Sequence, residues 1–167
     1  MPKMANRKAY YMITITKQYR TETGHRLINY DGRCAHIHGH SYLWEVTVTL
    51  PEGRGTLRNG MVTDFKDLKS SLAAELDMFD HAFVVHEKDP LAPFLDKSHA
   101  TNGKTQRVII VPWNPTAENF ASYIGTRLKM YHQEKFGVVK IRVWETASSF
   151  AEWRNPDVWE KQDNEES

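Results

Sequence analysis

Residues 34–50, CAHIHGHSYLWEVTVTL, decide the fold, because their second half shows the clearest periodicity in the chain. Along 41–50 the side chains alternate, with Tyr42, Trp44, Val46 and Val48 on one side and polar or smaller groups on the other. A period of two is the pattern of a half-buried strand. The histidine-rich first half runs into that strand without a break. Residues two apart on a strand share a face, so His38 and His40 present two imidazoles to one point, with Gly39 leaving room between them.

Working outward, 10–19 (YYMITITKQY) is rich in β-branched and aromatic residues and predicts an earlier strand. PEGRG, at 51–55, breaks the chain after the central strand. Phe65, Leu68, Leu72 and Leu76 then recur at helical spacing, with Asp64 placed to cap the helix. Thr116 is a plausible N-cap for a second helix bearing Phe120, Ile124, Leu128 and Tyr131 along one face, and Gly137 is expected to end it. A strand over 138–146 (VVKIRVWET) and a short one over 150–154 close a hairpin. Residues 89–111 read as an insertion with a surface loop and one added strand around VIIV, and the polar end from about 160 as a frayed tail. The order strand, strand, helix, helix, strand, strand implies one α+β domain over 1–167, an antiparallel sheet covered on one face by helices.

Composition sets the outer limits. At 167 residues, with 40% hydrophobic and 26% charged residues, the chain suits one globular domain. A net charge of +1 provides no one-signed field for nucleic acid or an anionic membrane. No apolar run reaches the roughly 20 residues of a membrane span, and 1–9 lack a signal-peptide core. The single cysteine, Cys34, excludes an intrachain disulfide and a cysteine-rich zinc finger. A cytoplasmic protein is the expectation.

Four of the eight histidines fall between Gly24 and Ser41. His25 could add a third nitrogen to His38 and His40, and three nitrogens with one open position is the pattern of a catalytic zinc. An HxH pair alone is weak support for a metal, and His36 shares the parity of His38 and His40, so spacing leaves it open as a ligand. Cys34 reads either as a small buried hydrophobe or as a thiolate base or nucleophile beside a cation. Asp80-His81 reads as an acid–base pair or an ordinary helix-end cap. Glu145 is a salt-bridge carboxylate or an anchor for the edge of a nitrogen heterocycle.

GHRL (24–27), Cys34 followed by HGHSY (38–42), VTDF (62–65), FDHAF (79–83), NPTAEN (114–119) and WETASS (144–149) occur in that order. In these motifs the chain resembles the 6-pyruvoyltetrahydropterin synthase / 6-carboxytetrahydropterin synthase family over nearly its whole length. The resemblance implies the T-fold: a four-stranded antiparallel sheet with two helices on one face, the sheets of several copies joining into a barrel. It implies His25, His38 and His40 as zinc ligands with His36 outside the set, and Cys34 as the catalytic cysteine. His81 with Asp80 matches the proton relay, and Glu145 the pterin anchor that is sometimes also assigned to the relay. Thr116 matches a threonine that helps hold the pterin. The substrate implied is a dihydropterin triphosphate, with Arg26, Arg33 and Lys66 as candidates for its phosphates.

The three-residue gap between Cys34 and His38 looks like the carboxy-forming branch, which leads to 7-deazaguanines such as queuosine; the pyruvoyl-forming branch has a longer gap. A non-catalytic zinc module and a metal-free pterin enzyme of the same fold are the alternatives. The lone cysteine argues against the first, since a structural site would recruit it as a fourth ligand, and HGH argues against the second. This chain departs from the family pattern at Thr21, Thr23 and Gly24 before the first histidine, at Trp144 before the glutamate, and in the length of 89–111. Strand edges without central charges or proline predict a homo-oligomer, a hexamer of two trimers, with Cys34 of one copy near Asp80-His81 or Glu145 of another.

Overall fold

The computed structural model describes residues 13–51, 57–95 and 104–158. In chain order these form β1 (Ile15–His25), a 3-10 turn (Arg33–Ala35), β2 (His38–Thr49), α1 (Phe65–Leu76), β3 (Ala82–His86), α2 (Ala92–Leu95), β4 (Val108–Val111), α3 (Ala117–His132), β5 (Gly137–Thr146) and β6 (Ser149–Arg154). They build one six-stranded sheet in the order β4-β3-β1-β2-β5-β6. The expected antiparallel four, β1-β2-β5-β6, are contiguous within it. Beyond β1 the sheet gains β3 and β4, both paired in parallel, so it is mixed and not purely antiparallel.

The alternation along β2 fixes which face is buried. Tyr42, Trp44, Val46 and Val48 are solvent-free and pack against Leu68, Leu72 and Leu76 of α1 and Phe120, Ile124 and Leu128 of α3. Burying this layer of aromatic and branched side chains is the main favourable term for the fold. Both helices start as the sequence indicates. Asp64 accepts from the Lys66 N–H, and Thr116 accepts from the Asn119 N–H at 3.3 Å, each side chain satisfying an otherwise unpaired first-turn donor. Among the described residues no helix is long and apolar enough to cross a membrane.

Three expectations about the elements need correction. The first strand runs over Ile15–His25, later than 10–19; residues 10–12 lie outside the described set. Its second half, RTETGH, alternates by exposure and not by hydropathy, with Thr21, Thr23 and His25 turned inward. FDHAFVVH contains a strand, β3, which its acid–base pair obscured. Gly137 does not end the helix: α3 stops at His132 with Gln133 as C-cap. Gly137 instead opens β5, where a Cβ would come within 2.8 Å of the Leu50 carbonyl oxygen. Of the insertion, α2 and β4 are described, whereas 96–103 and the tail from 159 lie outside the described residues.

Gly125, in the middle of α3, lets the helix approach β6: a Cβ there would stand 2.3 Å from the Trp153 ring. Gly125→Ala gains helix propensity yet must displace an indole. The expected result is a net loss of about 1–3 kcal/mol, read as a lower urea midpoint with an unchanged slope.

Candidate active site

The β1–β2 register creates the site. The two strands pair from Ile15↔Val48 up to His25↔His38, and Thr23 stands opposite His40. His25, His38 and His40 therefore emerge at one end of the sheet, on the face that farther along carries the aromatic core. Their rings lie 4.3, 5.2 and 5.0 Å apart by centroid, and their candidate ligand atoms all fall within 4.8 Å of one another. His36 is exposed and lies outside β2, and its carbonyl takes a hydrogen bond from His38 Nδ1 at 2.8 Å.

The hydrogen bonds set the tautomers. His25 Nδ1 is 2.6 Å from the Pro115 carbonyl oxygen, which only accepts, so Nδ1 carries the proton and Nε2 keeps a lone pair. His38 is set the same way by His36. The Nε2 atoms of His38 and His40 are buried with no hydrogen-bond partner in the protein. Burial holds the imidazole of His25 well below the ordinary range, at about 4; the Pro115 bond opposes this and the two neighbouring imidazoles reinforce it. His40 is lowered too, again chiefly by burial. Both are thus neutral near pH 7, as metal ligands must be.

Glu145 completes the ring of acceptors. Its Oε1 lies 3.7 Å from His25 Nε2 and 3.5 Å from His40 Nε2. With His25 neutral and its Nε2 proton-free, these contacts are not ion pairs. Tyr42 offers the one nearby proton: its hydroxyl donates to Glu145 Oε1 at 3.2 Å and lies 3.3 Å from His25 Nε2. Acceptors outnumber donors at this point, and a bound cation is the natural remedy. The set of three imidazoles with a carboxylate nearby fits zinc. Glu145 is placed by an irregularity in the β5–β6 ladder, where Trp144 pairs with Phe150 and Thr146 with Ser149, leaving Glu145 between them unpaired.

Cys34, partly exposed in the 3-10 turn, lines a cavity of about 310 Å³ together with His25, Tyr30, Thr116, Glu145 and Phe150. Its carbonyl accepts from the Leu27 N–H at 2.8 Å, tying the turn back to the end of β1. Thr116 is both helix cap and cavity wall. Cys34 and Glu145 thus line one cavity within a single chain, so of the two expected partners of Cys34, Asp80-His81 or Glu145 of another copy, Glu145 needs no second copy to reach it.

Asp80 and His81 do not join them. They sit in the turn before β3, and His81 faces a depression lined by Glu22, Gly24, Gly39, Ser41 and also His40, apart from the cavity that Cys34 and Glu145 line. His81 is exposed, with Nδ1 3.0 Å from Asp80 Oδ2. The Asp80 carboxyl is held below its usual range, first by the Glu22 N–H and also by His81. Among the phosphate candidates, Arg26 is bound to the buried Asp89 at 2.7 Å. Lys66 lies in the first turn of α1 beside Asp64 and Asp67, which line a cavity with Leu50 at the far end of β2. Arg33 stays next to Cys34. Tyr42 was legible in the sequence as a member of the His38-His40-Tyr42 parity, but its aromatic ring reads there as core.

The pH dependence follows from His25. Its folded-state value lies below the unfolded one, so between about 6.5 and about 4 the unfolded chain binds the extra proton. In metal-free protein the corresponding stability is complete above about pH 6.5 and is lost as pH falls through about 4, by ~3 kcal/mol at most. Urea unfolding of metal-stripped protein across this range should show the midpoint falling, and His25→Gln should flatten that fall.

Residues 14–156 match the family model described as 6-pyruvoyl tetrahydropterin synthase. The chain is 36% identical to a Haemophilus influenzae protein named 6-carboxy-5,6,7,8-tetrahydropterin synthase, over 86% of this chain and 99% of that one. It is 34% identical to the Aquifex aeolicus protein of the same name, over 84% and 96% of the two chains. Among solved structures, an uncharacterized protein of Wolinella succinogenes aligns with a TM-score of 0.73 at 22% identity, over 87% of this chain and 99% of that one. The Caenorhabditis elegans 6-pyruvoyl tetrahydropterin synthase aligns at 0.59 and 23%, over 87% and 96%. At those identities the two structures speak to the fold, and they carry the T-fold reading. With the histidine triad, Cys34 and Glu145 brought together by that fold, the chain belongs to the 6-pyruvoyl tetrahydropterin synthase family.

Proposed function

We propose that this chain is a zinc-dependent 6-carboxy-5,6,7,8-tetrahydropterin synthase. It would convert 7,8-dihydroneopterin triphosphate and water to 6-carboxytetrahydropterin, acetaldehyde and triphosphate, on a route to 7-deazaguanines such as queuosine. The observation that carries the reading is the cluster of three imidazoles, one of which, His25, lines a cavity together with Cys34 and Glu145. The names of the relatives and the short Cys34–His38 gap favour the carboxy-forming reaction over the pyruvoyl-forming one.

The chain's own residues divide the work. Glu145 has Oε1 committed to Tyr42, which orients the carboxylate toward the N–H edge of the pterin. Thr116 lines the same wall. Cys34, as thiolate, takes the carbon-bound proton of the substrate side chain. Zinc, which His25, His38 and His40 would hold, would supply Lewis-acid stabilisation for developing oxygen charge on the substrate. His81, oriented by Asp80, moves a second proton from the opposite side of the substrate. Arg33, next to Cys34 in the chain, is the candidate to receive the triphosphate.

The Asp80–His81 pair and Cys34 occupy separate depressions of one chain, so a shared site in a homo-oligomer brings them together. The edges for such assembly exist: among the described residues β1 pairs with β3 only over Thr23–His25 and the Glu22 backbone bonds Asp80 and His81, leaving Ile15–Thr21 without a strand partner on that side, and β6 ends the sheet at its other edge. Edge-to-edge pairing around an axis closes a barrel, with a hexamer of two trimers as the expected state.

Purified protein given dihydroneopterin triphosphate should carry about one zinc per chain and release acetaldehyde. Cys34→Ala should keep its zinc and lose roughly two orders of magnitude in turnover, while His38→Ala should lose zinc and turnover together. A pyruvoyl product without acetaldehyde would sink the carboxy-forming assignment. Subunit mixing tests the shared site. Inactive Cys34→Ala and His81→Ala chains, dissociated and reassembled together, should recover about a quarter of the activity in a random mixture. Cys34→Ala mixed with Glu145→Ala should recover none, since both side chains belong to the same cavity.

A further inference from the structure

The turn that carries Asp80 and His81 is held in an unfavourable conformation by groups that the proposed chemistry does not use. His81 has φ 53°, in the left-handed region, where a residue with a Cβ persists only if its surroundings impose it. One restraint is the backbone of Glu22. The His81 N–H donates to the Glu22 carbonyl at 2.7 Å, and the Glu22 N–H donates to Asp80 Oδ1 at 2.8 Å. The other restraint lies inside the core. Trp44 Nε1 is 2.9 Å from Thr21 Oγ1, Thr21 Oγ1 is 3.0 Å from Thr23 Oγ1, and Thr23 Oγ1 is 3.0 Å from the Phe79 carbonyl oxygen.

Thr23 is the donor at the centre of this cluster. An indole N–H only donates, a carbonyl only accepts, and each hydroxyl has a single proton. The Trp44 N–H donates to Thr21 Oγ1, and the one proton of the Thr23 hydroxyl is shared between two acceptors in reach, Thr21 Oγ1 and the Phe79 carbonyl oxygen. Trp44, Thr21 and Thr23 are 0%, 1% and 3% exposed. Hydroxyls so deeply buried are costly unless paired, and small apolar residues would fill the same space without that cost. Their pairing ends on the backbone two residues before His81. The loop also closes on itself, since the Trp44 ring stacks on the Phe79 ring at 6.1 Å and 13°.

We propose that Thr21 and Thr23, oriented by Trp44, are positioning residues that fix the Asp80–His81 pair by holding the Phe79 carbonyl. The proposal rests on the reading of His81 as an acid–base group. Thr23 is also two residues from His25, so its test must separate the dyad from the metal ligands.

Thr23→Val keeps the shape and removes the hydroxyl; Thr23→Ser keeps the hydroxyl. With Thr23→Val the His81 ring signal in 1H–13C NMR should shift. Turnover should fall about tenfold, as expected for one lost buried hydrogen bond. KM should stay within about twofold and zinc content should not change. Thr23→Ser should restore both the signal and the rate. In a His81→Ala background Thr23→Val should cost nothing further. An unmoved His81 signal, a loss of zinc, or an equal fall in turnover in both backgrounds would overturn the proposal. If His81→Ala leaves turnover intact, the role given to His81 fails instead, and the NMR shift still decides whether Thr23 positions it. Should Thr23→Val not fold, Thr21→Val breaks the same chain one link earlier and is read the same way.

Discussion

The antiparallel register of β1 against β2 is the constraint on which the rest of the structure depends. It sets His25 opposite His38 at the end of a ladder whose other positions place Tyr19 against Trp44 and Lys17 against Val46. A slip of one residue would send His25 to the far face, because side chains alternate along a strand. The same slip would carry Thr21 and Thr23 out of the core and leave the Trp44 N–H unpaired. Burial of the Tyr42–Val48 face therefore specifies the metal-ligand geometry. The site is a continuation of the core layer, and stability and chemistry share one register.

That shared face explains the electrostatics of the site. Histidines at the end of a buried stripe lose solvation, which keeps His25 and His40 neutral and their lone pairs available. The Pro115 and His36 carbonyls then choose which nitrogen is free. Pro115 directly precedes the N-cap of α3, so the helix that covers the core also orients a metal ligand. Tyr42 links the site to the interior: its ring packs on Phe120 at 5.5 Å while its hydroxyl reaches Glu145. Burial and the neighbouring carboxylate push that phenol far above its usual range, so it acts as a fixed donor and not as an acid.

What the sequence made legible follows from periodicity and local chemistry. β2, α1 and α3 could be read from one strong pattern each, and the two caps from the residue types that satisfy free N–H groups. The candidate triad was readable through the ordered family motifs and not from spacing, because HxH alone is weak and His36 shares the parity of His38 and His40. Less was readable where structure depends on partners distant in the chain. The second half of β1 buries hydroxyls and a histidine, so its alternation is invisible to hydropathy. β3 is five residues long and exists because it pairs in parallel with the end of β1 and with β4, a non-local match that no local pattern announces. The placement of Glu145 beside Cys34 in one chain, and of Asp80–His81 apart from them, depends on the same long-range pairing.

The separation of Asp80–His81 from Cys34 and Glu145 also has a physical logic. A general acid or base must approach the substrate from a direction the metal-side groups leave free, and a single sheet cannot offer two opposed walls to one small molecule. The histidine face provides one wall. The turn before β3, held in its left-handed conformation by Glu22 and by the buried hydroxyls, presents a rigid dyad outward from the other side of β1. Rigidity matters more here than on the metal side, because an exposed imidazole in a turn would otherwise sample many orientations. The strained turn at His81 is kept in place by the Glu22 backbone and by the buried Thr23 hydroxyl at the Phe79 carbonyl.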